Sequence, residues 1–334
     1  MILHWVAFVL SAAGIVVAGI RLAPYGEALG RRTGIGQGWI GLLFLATLTS
    51  IPELTTTVSG ASLDVPNIAL GNAFGSNLFN VVIIAVMDIL LLGRGPFLLK
   101  ARGYHTLSGA MAVLLTLFGV IGIILAPEVT FLGISPVSWL ILVGYVLGVY
   151  LLFHAERHET VDEDAVPGTE GLSFRAAILG FVVCGAIIIV SGIFLIWASK
   201  AISLASGLSA SFMGAILVAI VTSLPELATS IGALRIGAYD MIVGNLFGSN
   251  MFNILTVFFA DAAYRRGAIF ANLRGGESDQ MIVAICGVVL TVIAMVSLVA
   301  RARRRIFGIG VDAATLLVFY FGATALIVCR GIKF

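Results

Sequence analysis

The chain has 334 residues, of which 60% are apolar and 11% charged, and its mean hydropathy is +1.12. That much apolar surface cannot be hidden in one soluble core, which excludes a soluble globular protein and leaves one that sits in a membrane. A net charge of +2 decides little, because in a membrane the placement of charge matters more than its sum.

Ten stretches of about 18 or more mostly uncharged residues follow one another, each able to cross a hydrocarbon layer of about 30 Å as a helix. They are 2–20, 37–61, 66–92, 105–126, 135–153, 174–198, 210–234, 239–262, 280–300 and 308–328. The first, ILHWVAFVLSAAGIVVAGI, lacks the positive start of a signal peptide and outruns a signal core, so it reads as a span. Cys184, Cys286 and Cys329 all fall in spans and share no short spacing, which argues against a disulfide framework or a thiolate metal site. The expected fold is an all-α integral membrane protein of ten transmembrane helices.

Between the fifth and sixth spans, HAERHETVDEDAVPGTEGLSFR carries Pro, Gly and acidic residues. It marks a linker at 155–173 between halves at 1–154 and 174–334. His154 and His158 lie four apart beside Glu156, Glu159, Asp162, Glu163 and Asp164. A solvated loop is favoured there over a regulatory cation site. Ten crossings place both termini on one side. Of the 19 Lys and Arg, 13 fall in the set of loops that holds the linker and 6 in the other. The positive-inside rule then puts the linker in the cytoplasm and both termini outside. Arg301, Arg303, Arg304 and Arg305 belong to the richer set and are expected to anchor topology, ahead of binding anionic lipid.

The second span holds TSIPEL at Thr49–Leu54 and the seventh holds TSLPEL at Thr222–Leu227. An offset of 173 relates them without a gap, and it also carries Gly71 to Gly244, Ser76 to Ser249 and Asn80 to Asn253. From Ala46–Asn80 to Ala219–Asn253, 15 of 35 positions are identical, gathered in T-S-x-P-E-L and G-N-x-F-G-S-N-x-F-N. Each half has five spans, an odd number, so the second copy crosses in the opposite sense. Such inverted repeats are a plan of secondary transporters, with the substrate site near the midplane where the copies meet.

A carboxylate at bilayer depth costs roughly 2.5–3.5 kcal/mol on insertion scales, so Glu53 and Glu226 should face the bundle interior or water. Ala46, Thr49, Ser50 and Glu53 fall at i, i+3, i+4 and i+7, one stripe of a helix, and Ala219, Thr222, Ser223 and Glu226 repeat it. Asn72, Ser76 and Asn80 are spaced four and four, as are Asn245, Ser249 and Asn253. Pro52 cannot donate to Leu48, nor Pro225 to Val221, which frees carbonyls beside each glutamate. Carboxylates, hydroxyls, carboxamides and freed carbonyls are hard oxygen donors, suited to calcium, sodium or another hard cation. Gly71 with Gly75, and Gly244 with Gly248, form small-x-x-x-small pairs that let helices approach closely. Asp88 and Asp261 obey the same offset near span ends, where solvation is expected ahead of a place in an ion pathway. His4 and His105 sit near span ends without a constellation.

TSIPEL with GNAFGSNLFN, and TSLPEL with GNLFGSNMFN, resemble the two alpha repeats of the cation/calcium exchanger superfamily, which includes the sodium/calcium exchangers. The resemblance implies a five-plus-five inverted repeat with the cation site between the second, third, seventh and eighth spans. Carried over by motif, Glu53 and Glu226 would be central calcium ligands shared with sodium, and the carbonyls of Thr49 and Thr222 would complete the calcium site. Ser50, Ser223, Ser76, Ser249 and the carbonyls of Ala46 and Ala219 would line flanking sodium sites, with Asn80 and Asn253 at the centre. Many sodium/calcium exchangers have an aspartate at one central position, whereas both are asparagine here. Two formal charges balance one divalent or two monovalent ions, which puts a three-to-one stoichiometry in question. The coupling ion stays open too, since burial disfavours a charged carboxylate and lets protons compete.

The reading that follows is a secondary antiporter exchanging calcium for sodium by alternating access. A proton-coupled exchanger of calcium or another divalent cation is the alternative, with a cation channel behind both. No catalytic residue, cofactor or nucleic-acid partner is implied; the ligands are the transported calcium and sodium or protons, and the lipid bilayer is the other partner. An intramembrane protease lacks support, because no Ser–His or paired-Asp arrangement occurs in the spans. The first and sixth spans, nearly featureless and rich in Gly and β-branched residues, are expected to slide across the core. Short loops lead to an expected location in a plasma (inner) membrane.

Overall fold

The computed structural model describes residues 2–32, 45–91, 96–101, 103, 105–156, 173–235, 237, 239–273, 275, 277–301, 304–306 and 308–331. The start of the second span at 37–44 and the linker histidine and acidic residues from His158 to Asp164 lie outside the described residues, as do Arg303 and most of the linker. The long helices in chain order are α1 (Ile2–Arg32), α2 (Leu45–Thr49), α3 (Ile51–Ser62), α4 (Pro66–Leu90), α5 (His105–Leu125), α6 (Pro136–Glu156) and α7 (Phe174–Ser206). The second half, opened by α7, continues with α8 (Ala210–Phe212), a wide π-helical turn at Met213–Val218, α9 (Ala219–Thr222), α10 (Leu224–Arg235), α11 (Tyr239–Ala263), α12 (Glu277–Ala300) and α13 (Val311–Gly331). Among the described residues nine helical stretches are long and apolar enough to cross a membrane. With the second span, α2–α3, they make ten transmembrane helices in two inverted five-helix repeats, an all-α membrane protein.

Two spans outrun their expected ends. α1 continues from 20 to Arg32 and α7 from 198 to Ser206. At about 1.5 Å per residue their 31 and 33 residues exceed a bilayer core, which requires tilt or protrusion. α7 starts where Ser173 Oγ accepts from Ala176 N at 3.2 Å and ends at Gly207, whose φ of 77° only glycine adopts freely. The seventh span, read from sequence as one stretch at 210–234, is broken into α8, the π-helical turn, α9 and α10.

Burial orders the helices around an axis. In their most apolar stretches α11 is 89% buried and α4 78%, against 28% for α1 and 22% for α7. The repeat-related pair α4 and α11 thus lies at the centre, and α1 packs along α7 on the lipid side. Glycines set the close approaches: a Cβ on Gly75 would collide with Ala215 O, and one on Gly71 would meet Ala215 N at 2.9 Å. The π-helical turn of one repeat therefore rests on the backbone of α4 in the other.

The span-end aspartates are not solvated, correcting the expectation for them. Asp88 Oδ2 accepts from Gly310 N at 2.7 Å, in the two-residue strand β2 (Ile309–Gly310) that pairs with β1 (Arg305–Ile306), and Asp88 also accepts from Phe97 N. Asp261 accepts from Ile269 N at 2.7 Å, Ser135 N at 2.7 Å and Ser138 Oγ at 2.6 Å. Each ties the end of a central helix to the loop that follows it and to the start of the last helix of the other repeat. His105, expected to carry no constellation, is buried and pairs through Nε2 with Asp240 Oδ1 at 3.2 Å across the repeats. His4 packs against Trp197, and His154 bonds the carbonyl of Tyr150.

Candidate cation site

The two Pro-Glu segments interrupt their spans at matched residues. Between α2 and α3, Ser50 has φ −90° and ψ 11°; between α9 and α10, Ser223 has φ −91° and ψ 7°. The helical ladder resumes across each break, since Ser50 N donates to Ala46 O and Ser223 N to Ala219 O, both at 3.1 Å. Pro52 and Pro225 follow within the first turn, where a missing amide hydrogen costs least. The break turns the serine hydroxyls across the boundary between repeats.

There they meet the opposite glutamates. Ser223 Oγ donates to Glu53 Oε1 at 2.8 Å, and Ser50 Oγ donates to Glu226 Oε1 at 3.0 Å. Because Ser223 stands one helical turn before Glu226, and Ser50 one turn before Glu53, each carboxylate is held against the other's helix. Both glutamates are fully buried, and Oε2 of each has no hydrogen-bond partner among the described residues. Two orphaned carboxylate oxygens in a low-dielectric interior are costly unless a cation completes them.

The remaining expected residues form a second crossed layer. Thr222 Oγ1 donates to Asn72 Oδ1 at 3.1 Å and Thr49 Oγ1 to Asn245 Oδ1 at 3.4 Å. Ser76 Oγ lies 3.4 Å from Thr222 Oγ1, and Ser249 Oγ 3.5 Å from Thr49 Oγ1. Ser249 Oγ also donates to the carbonyl of Ala46 at 3.4 Å, and the carbonyl of Ala219 accepts from Thr222 Oγ1 at 3.3 Å. Threonine, serine, asparagine and carbonyl oxygens from both repeats thus converge around the two carboxylates.

Sequence reasoning missed four positions, Thr56, Thr57, Asn77 and Asn250. Thr56 Oγ1 and Thr57 Oγ1 accept from Asn72 Nδ2 at 2.8 and 2.9 Å, which turns the Asn72 carbonyl toward Thr222. The signal for Thr56 was present, since it is identical to Thr229 under the offset. Asn80 Nδ2 donates to Asn250 Oδ1 at 3.1 Å rather than to Asn253, and Asn250 Nδ2 donates to Asn77 O at 3.4 Å. The centre is therefore asymmetric. Asn77 Nδ2 is drawn instead to Thr116 Oγ1 at 3.4 Å, and the residue 173 further on is Val289, which offers no such acceptor. Asn253 is fully buried, with neither amide atom hydrogen-bonded among the described residues.

The family model for sodium/calcium exchanger protein matches residues 3–155 and 176–329. The putative antiporter CaxA of Alkalimonas amylolytica is 28% identical over 298 residues, which cover 85% of this chain and 88% of that protein. Of solved structures, the H+/Ca2+ exchanger CAX has a TM-score of 0.70 at 14% identity, over 98% of this chain and 86% of its own. The sodium-calcium exchanger NCX_Mj has a TM-score of 0.58 at 20% identity, over 99% of each chain. At these identities the structural likeness establishes a shared fold.

Proposed function

Because the chain belongs to the sodium/calcium exchanger protein family, we propose that it is a secondary antiporter that moves calcium in one direction and sodium in the other. The observation that carries this is the crossed pair of hydroxyl bonds, Ser223 to Glu53 and Ser50 to Glu226. Two half-sites interlocked in this way make one site from both repeats, so calcium and the counter-ion must use the same carboxylates in turn. An empty site leaves two buried charges unpaired, which opposes the switch between outward and inward access. Exchange follows from that cost. A channel, by contrast, has no need to refill its site before returning.

In this reading Glu53 and Glu226 hold calcium with the carbonyls of Thr49 and Thr222. Ser50, Ser223, Ser76, Ser249 and the carbonyls of Ala46 and Ala219 receive sodium, while Asn72 and Asn245 orient the threonines. Location in a plasma (inner) membrane, with the linker cytoplasmic, fits the 13-to-6 division of basic residues. Proton coupling is the second reading, favoured by the full burial of both glutamates among neutral neighbours.

Calcium-45 uptake into proteoliposomes tests both. With sodium inside, uptake is expected to need the sodium gradient. It should fall about 100-fold or more in Glu53→Gln and equally in Glu226→Gln, since losing one partner of a buried charged cluster costs about 3–5 kcal/mol. Uptake driven by a pH gradient without sodium would make protons the counter-ion, and uptake driven by neither would remove calcium as substrate.

A further inference from the structure

We infer that the exchange is electroneutral, one calcium against two monovalent ions, and that residue 253 sets this balance. The inference rests on the exchange reading above and adds its charge accounting. Other described acidic side chains are committed elsewhere. Asp88 and Asp261 are bound by backbone amides, Asp64 by Tyr264 Oη and Arg266, Asp240 by His105 and Asp279 by Arg330. Asp312, whose Oδ1 has no partner among the described residues, lies in the first turn of α13 beside Asp88 and not at the glutamates, and Glu128 is exposed in the loop between α5 and α6. The hydrogen-bond partners of Glu53 and Glu226 are neutral hydroxyls, so among the described residues no Lys, Arg or His is bonded to them. The site therefore carries two negative charges when both glutamates are ionised.

That number limits what can cross. Calcium fills the site to neutrality, and so do two sodium ions or two protons, so two positive charges travel each way per cycle. A third monovalent ion would leave one positive charge buried among carboxamides and hydroxyls, with no counter-charge to receive it. The central asparagines are where a third charge would have to stand. Asn80 spends its Nδ2 on Asn250 and keeps Oδ1 unpartnered, whereas Asn253 is fully buried with its carbonyl and amide both unpartnered among the described residues. As a neutral carboxamide it supplies a dipole to the site and no charge.

Reconstituted full-length protein tests the balance, with potassium and valinomycin holding the membrane at zero or at about 100 mV of either sign. Calcium-45 accumulation is driven by a sodium gradient and, separately, by a pH gradient. Steady-state accumulation is expected to stay within about twofold at all three potentials. A cycle moving one net charge shifts it about 50-fold per 100 mV. That shift would overturn electroneutrality while leaving exchange intact, whereas accumulation under neither gradient would overturn exchange itself. Asn253→Asp, checked for monodispersity by size exclusion, is expected to render accumulation potential-dependent. A variant that accumulates calcium with the same indifference to potential would show that residue 253 does not set the balance.

Discussion

At the scale of single residues, the glutamates and the aspartates do opposite work with the same functional group. Among the described residues Glu53 and Glu226 each keep an oxygen free of donors, while Asp261 spends both oxygens on Ser135 N, Ile269 N and Ser138 Oγ. Asp261→Ala would strand three buried donors, at about 1–3 kcal/mol each before relaxation. The melting temperature in detergent is expected to fall by about 5 °C or more. The calcium concentration for half-maximal uptake by the surviving protein should change less than about twofold. A changed half-saturation with an unchanged melting temperature would instead place Asp261 in the ion path. The distinction was illegible beforehand, because the 173 offset marks Asp88 with Asp261 just as it marks Glu53 with Glu226. What separates them is the folding-back of loops at Phe97 and Ile269, a tertiary event that no local pattern encodes. The site's crossed pairing was half legible: the stripes named the serines and glutamates, but not which repeat each serine would serve.

At the scale of elements, the ten-span plan was readable because hydropathy and the duplicated blocks agree, and the departures fall where polar composition and packing take over. RLAPYGEALGRR continues α1 beyond the apolar stretch although Pro24, Gly26 and Gly30 are poor helix formers, so neither hydropathy nor local propensity announces the extension. The π-helical turn at Met213–Val218 has no repeat of sequence to announce it; it fits where Gly71 and Gly75 let Ala215 touch the backbone of α4. Gly75→Ala is the sharp probe of that contact. Its Cβ would collide with Ala215 O, so α4 and the seventh span must separate, at about 1–3 kcal/mol or more. Calcium uptake is expected to drop at least about tenfold. Gly185→Ala, with nothing within 4 Å of the added carbon, should leave uptake unchanged, because only helix propensity is altered. Equal losses in both variants would show that α4 does not depend on this close approach.

At the scale of the whole molecule, a site buried from both faces can serve exchange only if one body moves past another. The contacts point to α1 with α7 as the moving body. The two lie along each other more extensively than any other pair among the described residues, and they are among the least buried spans, with α6. They touch the site helices of the opposite repeats through repeat-related glycines: Gly19 against Pro225, and Gly192 against Thr55. Smooth contacts of this kind leave no side chain to interlock, as sliding requires. A built Cβ on Gly192 lies 3.4 Å from Thr55 Cβ, and one on Gly14 lies 3.3 Å from Ser191 Cβ, both near the separation a disulfide spans. With Cys184, Cys286 and Cys329 replaced by Ser, oxidising the pair Gly192→Cys and Thr55→Cys ties the moving body to the core. Calcium uptake is then expected to stop, and to return on adding dithiothreitol. Gly14→Cys with Ser191→Cys joins α1 to α7 inside that body and should leave uptake above about half of the reduced control. If the first link is tolerated, α1 and α7 do not slide against α3, and access to Glu53 and Glu226 must alternate through the central helices themselves.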